Sequence, residues 1–279
     1  MAQLDVVRRR ISLSDDEFET LRLVHNDEPV ADEARRGLVD AGIVTADGDI
    51  APLVLDLVRT VSEPMIECAV ETAGPQGAVS ALLAVREETV WYTDPWPQGD
   101  AAPQSTVYCQ DELPQILWVL ARLVGLRRRE VPPVATPFTV PLRAIDAVVQ
   151  TMALSEDAWE PTRIVATAQL ERFFGGDIAE QDRTMLMATL SFLESTARVT
   201  LVWGPDIETD ARGLVLWDCG PGGYWVREQP AEPLRAEDIT PDTEARFRPV
   251  TGGEAWRLLA GLLPSSADLR AVLDRVPAP

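Results

Sequence analysis

Ala78-Val79-Ser80-Ala81-Leu82-Leu83-Ala84-Val85-Arg86, then Glu87-Glu88, then Thr89-Val90-Trp91-Tyr92-Thr93, reads as a β-hairpin. Two apolar, β-prone runs are joined by a short polar pair. Upstream, Met65 to Glu71 alternates Met65, Glu67 and Ala69 against Ile66, Cys68 and Val70, which predicts another strand. Gly74-Pro75-Gln76-Gly77 breaks that run. Downstream, Asp94 to Gln104 is rich in Pro, Gly and Asp and reads as a loop, and Thr106 to Cys109 as a fourth strand. Asp111 to Leu126 predicts a helix with Leu113, Ile116, Leu117, Leu120, Leu123 and Val124 on its apolar side. Ahead of the strands come three short helices. The first is capped at Ser14, with Glu17 at capping-box spacing, and buries Phe18, Leu21 and Val24 or His25. The second covers Val30 to Ala41 and stops at Gly42. The third starts at Ala51 after the Asp47-Gly48 turn, with Leu53, Leu57 and Val58 inward.

The same order returns after Arg127-Arg128-Arg129 and Pro132-Pro133, an internal boundary because paired prolines suit neither helix nor strand. Leu142 to Met152, Pro161 to Phe174 and Ala179 to Glu194 read as helices, and Arg198 to Trp203 as a strand. Gly213 to Asp218 and Tyr224 to Glu228 read as a hairpin around Gly220-Pro221-Gly222-Gly223. Gln229 to Thr243 is a loop, Arg246 to Val250 a strand, Gly253 to Leu263 a helix and Ala267 to Asp274 a last short helix. Leu120-Ala121-Arg122-Leu123 answers Leu259-Ala260-Gly261-Leu262, and Trp91-Tyr92 answers Tyr224-Trp225. The expectation is a duplicated α+β chain, residues 1–279 forming one domain. Its halves, 11–130 and 138–275, share a central antiparallel sheet.

Acids outnumber bases 45 to 25, a net charge of -20, so nucleic acid and anionic lipid are poor partners. Every basic residue is Arg, which suits GC-biased coding and leaves no ε-amino group for Schiff-base or P-loop chemistry. Cys68, Cys109 and Cys219 are far apart in sequence, which argues against a disulfide framework or a zinc site and for a reducing compartment. Residues 1–10 lack the apolar core of a signal peptide, and Leu113 to Ala121 is too short to span a bilayer. A cytoplasmic protein with no membrane insertion is expected.

Catalytic constellations are missing from the letters. His25 is the one histidine and sits near a helix end, where it serves as a C-terminal cation or core-edge residue. No serine has nucleophile-elbow glycines. Gly220-Pro221-Gly222-Gly223 sits between strands and reads as a β-turn, and Gly175-Gly176-Asp177 as a helix cap pair. The acidic runs Asp15-Asp16-Glu17 and Glu237-Asp238 read as a cap and a solvated loop. Catalytic, cofactor and metal residues are therefore expected to be none. The first sixty residues also fit a winged-helix regulator with Arg35 and Arg36 on its second helix, but the segment is acidic where DNA readers are basic.

Aromatic residues are the stronger lead. Trp91, Tyr92 and Trp96 lie on or beside one hairpin and Tyr224 and Trp225 on the other. Consecutive strand residues face opposite sides, so one member of each pair faces the helices. The other is an interface anchor where a sheet face is open and core where both faces are covered. Trp91 and Trp96 are candidate partner contacts on this ground.

Leu13-Ser14 with Glu17-Phe18, Gly37 to Val44, Asp47 to Pro52, Leu214 to Val226 and Phe247 to Thr251 together resemble the EspG family of type VII (ESX) secretion proteins of actinobacteria, over about Ile11 to Leu263. The resemblance implies a pseudo-two-fold α+β fold, its central antiparallel sheet flanked by two helical bundles. It implies a cytosolic chaperone without catalytic residues or cofactor, which binds the apolar tip of a helical secreted substrate, PPE-like or WXG100-like, and keeps it soluble for export. Through the sheet and C-terminal helices it points to Trp225, Trp256, Leu259 and Leu263 as partner contacts. The alternatives are a winged-helix-type transcriptional regulator or a non-enzymatic interaction protein of unknown pathway. Composition explains the role physically: a cover for an exposed apolar patch needs a greasy surface and enough charge to keep the complex dissolved.

Overall fold

The structure, a computed structural model, describes residues 2–75, 77–95, 105–145, 178–204, 210–229 and 238–273. The first strands are β1 (Gln3–Asp5) and β2 (Arg10–Leu13), followed by α1 (Asp15–His25), α2 (Asp32–Asp40) and α3 (Pro52–Ser62). Then come β3 (Ile66–Gly74), β4 (Gly77–Arg86), β5 (Thr89–Thr93), β6 (Thr106–Glu112) and α4 (Ile116–Leu123). The second half holds β7 (Phe138–Pro141), α5 (Glu180–Ser191), β8 (Ser195–Trp203), β9 (Asp210–Asp218), β10 (Tyr224–Arg227), β11 (Glu244–Val250), α6 (Gly252–Leu262) and α7 (Ser266–Leu273). The expected helix over 161–174, the 175–177 cap pair and most of the 94–104 and 229–243 loops lie outside the described residues.

Eleven antiparallel strands form one sheet in the order β1-β2-β6-β5-β4-β3-β8-β9-β10-β11-β7. Outward from the β3–β8 pair, each side runs through a hairpin, a further strand and a short strand from ahead of the helices. Only β1 lacks a counterpart among the described residues. The centre of the β3–β8 ladder pairs Ala69 with Thr200 and Val70 with Val199. The α+β class and central antiparallel sheet expected from the sequence are therefore present.

Helix boundaries follow their local chemistry. Ser14 accepts from the Glu17 N–H while Glu17 accepts from the Ser14 N–H, and Thr251 and Glu254 repeat that box at α6. The helix expected from Asp111 starts later. Val90↔Asp111 and Thr89↔Glu112 keep those residues in the ladder, and Leu113-Pro114-Gln115 forms a 3-10 turn before α4. The sequence reading also missed β1, β2 and β7. Cys68 and Cys109 lie on strands as expected, whereas Cys219 follows the end of β9; all three are buried and none is in a disulfide. Burial pushes the Cys68 thiol up to about 12, so it is an inert core residue.

One sheet face is covered by α4, α6 and α7 over Cys68, Val70, Leu83, Leu120, Val199, Leu201 and Leu259. The other face carries two separate cores. Helices α1 to α3 cover Ile11, Leu13 and Trp91 at one end, and α5 covers Phe138, Trp217, Trp225 and Phe247 at the other. The segment between the halves is fastened to the second half. The Arg127 N–H donates to the Tyr224 hydroxyl at 2.7 Å, and Arg129 pairs with Asp218 at 2.9 Å and Glu194 at 2.6 Å. Gly223 and Gly252 are required there: a Cβ on either would lie 2.8 or 2.7 Å from the carbonyl oxygen of Glu130 or Arg127.

Candidate partner-binding strip

Among the described residues, no helix covers the middle of the two-core face. On β3, β4 and β8, side chains at alternate positions point between the two helical groups. They are Glu67, Ala69 and Glu71; Ser80, Leu82 and Ala84; and Arg198, Thr200 and Val202. None of these is buried, while Cys68, Val70, Ala81, Leu83, Val199 and Leu201, next to them on the opposite face, are. The ladders set them in rows, such as Leu82–Ala69–Thr200–Gly213 and Trp91–Ala84–Glu67–Val202–Ala211. Leu82 is 62% exposed in the middle of an otherwise ordered sheet.

Two hollows shape the strip. One, of about 240 Å³, is bounded by Val61 of α3, Leu82, Trp91, Tyr108, Thr200 and Val202. Its lining is apolar, and it is smaller than ordinary small-molecule sites of ~300–1,000 Å³, so it suits one or two side chains of a partner. The other, about 460 Å³, lies toward the α5 end beside Glu71, Ser80, Arg198, Val215 and Trp217. Arg198 and Glu71 approach to 3.8 Å, both well exposed, a contact worth little in water.

The first hollow is held rigid from behind. Asp56 of α3 accepts from Trp91 Nε1–H and from Gln110 Nε2–H, each at 2.8 Å. Tyr108 stacks on Phe18 of α1 with ring centroids 5.5 Å apart. Burial, reinforced by the Asp15 charge, pushes the Tyr108 hydroxyl's pKa up and keeps it neutral.

Several sequence-named contacts are corrected. Trp91 is 0% exposed, Trp225 2% and Leu259 0%, so they are core residues and cannot anchor a partner with their side chains. Both faces of the sheet are covered at those ends. The aromatic pairs are also offset by one residue: the tryptophans share one face and Tyr92 and Tyr224 share the other. Trp256 and Leu263 are half-buried on the α4/α6 side of the sheet, away from the strip. Trp96 lies outside the described residues. Residues that sequence reasoning missed are Leu82, Tyr108, Thr200 and Val202. The alternation of Met65 to Glu71 was the available signal, since its second face is too polar for a covered strand.

Among the described residues there is no group of three or more His, Cys, Asp or Glu able to hold a metal, and no helix is long and apolar enough to cross a membrane. The α1–α3 unit spends its apolar side on the sheet through Leu21, Leu38 and Leu57, and Arg35 and Arg36 of α2 stand beside Asp32, Glu33 and Asp40. No basic reading face results.

No protein-family model matches the chain, and no curated protein matches it by sequence. Among solved structures, the chain is similar in fold to a chain of the Mycobacterium tuberculosis type VII secretion system chaperone EspG5 in complex with the PE25–PPE41 dimer. The TM-score is 0.52 at 15% identity, and the match covers 96% of this chain and 97% of that one.

Proposed function

We propose that this chain is a non-catalytic, cytoplasmic chaperone for a helical protein exported by a type VII system. The single observation that carries this reading is the open strip between the two helical groups, with exposed Leu82 beside an apolar hollow. The fold, similar to a chaperone-complex structure over nearly its whole length, supports it. In this reading residues 1–279 act as one unit, and 11–130 and 138–275 supply the two walls. The strip covers the apolar end of a PPE-like or WXG100-like hairpin. The high negative charge of the chain then keeps the complex dissolved.

The test is co-expression with helical type VII substrates, followed by size-exclusion chromatography. The expected result is a one-to-one complex and a substrate that is soluble only in the presence of this chain. Substrates equally soluble alone, with no co-elution, would overturn the reading.

A further inference from the structure

Strand register places two arginines on the strip face at its α5 end. One row runs Ser80–Glu71–Arg198–Val215–Arg227–Phe247 across β4, β3, β8, β9, β10 and β11. Residues paired across a ladder share a face. Phe247 and Val215 belong to the core under α5, so Arg198 and Arg227 stand on that same side. They flank Val215, which with Arg198, Trp217 and Ile145 lines the hollow of about 460 Å³. Neither cation is well neutralised. Arg198 meets Glu71 at 3.8 Å between well-exposed side chains. Arg227 is half-buried, and its side chain makes no hydrogen bond or ion pair among the described residues. Glu228, next in sequence, lies on the opposite face, where Arg246 and Arg248 share it at 3.3 and 3.5 Å. Burial, with Arg198 nearby, lowers the Arg227 pKa. A guanidinium still keeps its proton near neutrality. Arg227 is therefore a charge held partly out of water without a partner, which costs stability. Residues that cost stability in the free protein are typical of binding sites.

We propose that Arg198 and Arg227 form a carboxylate subsite of the strip, which takes one acidic side chain of the helical partner beside the apolar end that covers Leu82. Guanidinium groups match a carboxylate in charge and shape. The adjoining hollow is lined by Val215, Trp217 and Ile145, so its occupant carries apolar groups next to the charge, as a protein segment does and a free anion does not. The net charge of -20 repels a polyanion such as nucleic acid, whereas a single carboxylate among apolar neighbours gains from two cations without that penalty. The sheet also sets the spacing. Val215 lies three strands and two residues from Leu82, or ~16 Å at ~4.8 Å per strand and ~3.3 Å per residue. Along a helix rising ~1.5 Å per residue, the acid falls about ten positions from the apolar anchor. This inference rests on the partner-binding reading of the strip and adds the charge that the partner must carry.

The test has two arms, both on the full chain. In the first, urea unfolding compares the wild type with Arg227→Met, which keeps the aliphatic stem and removes the charge. The expected result is a higher midpoint in the variant. A lower one makes Arg227 a structural residue and overturns the proposal. In the second, fluorescent alanine-based helical peptides with blocked ends carry a pair of leucines and, about ten positions on, either Glu or Gln. At physiological ionic strength a screening length of about 8 Å damps the overall repulsion and spares close contacts. The Glu peptide is expected to bind about tenfold tighter than the Gln peptide, and that preference to vanish in the double variant Arg198→Gln, Arg227→Met. Equal binding of both peptides to the wild type overturns the carboxylate subsite and leaves the strip reading standing. Binding of neither peptide sinks both. Binding of inorganic phosphate alone, with the same dependence on the two arginines, overturns the proposal in favour of a free-anion site.

Discussion

Trp118 of α4 and Trp256 of α6 meet edge to face, with ring centroids 4.6 Å apart and planes inclined at 64°. The two helices follow β6 and β11, each the fourth strand outward from the central pair, and both lie on the closed face of the sheet. The contact therefore joins the halves on the side opposite the strip. Trp118 remains 64% exposed, so its share of the stability comes from this pairing and not from deep burial. A double-mutant cycle on Trp118→Ala and Trp256→Ala is expected to give a coupling of ~1 kcal/mol in urea unfolding. Strict additivity would show that the rings merely lie side by side.

Asp56 ties α3 to the sheet through Trp91 and Gln110. Asp56→Ala leaves the indole N–H of a fully buried tryptophan without an acceptor, which costs ~2 kcal/mol. Denaturant melts monitored by tryptophan fluorescence measure it. A loss below a few tenths would mean that water replaces the carboxylate.

Arg129 is the cation for Asp218, which is 7% exposed and also accepts from the Gly220 N–H at 2.9 Å. Arg129→Met strands that carboxylate and is expected to destabilise the chain by ~3 kcal/mol or more. Arg129→Met combined with Asp218→Asn should recover part of the loss, because no buried charge is then unpaired. Equal destabilisation in the single and double variants would contradict this account.

Glu254 carries a pH signature. The hydrogen bonds from the Thr251 N–H and hydroxyl hold its pKa below the ordinary 4.5. Its contribution to stability is therefore complete above that value and is lost as pH falls through the lower folded-state pKa. Thr251→Ala should cost ~1 kcal/mol near neutrality, and the gap to wild type should narrow in acid, where the box is already broken. Thermal melts across that range check the sign; a gap that widens on acidification would refute it.

Much of this architecture is legible in the letters. The β4–β5 and β9–β10 hairpins, the Ser14 cap and the matching Leu120 and Leu259 helices all come from periodicity and turn chemistry, which are local. Arg10–Leu13 and Phe138–Pro141 do not, because four-residue strands beside a cap or a proline pair carry too short a pattern to register. The site was legible only in part. Alternation says that Trp91 and Tyr92 face opposite ways, but which face is roofed depends on helices distant in sequence. Trp91 and Trp225 thus looked like anchors and are core, while modest Leu82, Ala69 and Thr200 form the open surface.

Leu82→Glu tests the central claim most directly. The side chain is exposed, so the variant should unfold at the same denaturant concentration as the wild type. Buried against an apolar client, the new carboxylate should weaken the complex by about a hundredfold, read by isothermal titration with a co-purifying type VII substrate. Trp118→Glu, on the closed face, should leave that affinity unchanged. An intact complex in Leu82→Glu together with a lost one in Trp118→Glu would place the partner on the wrong side of the sheet and contradict the account.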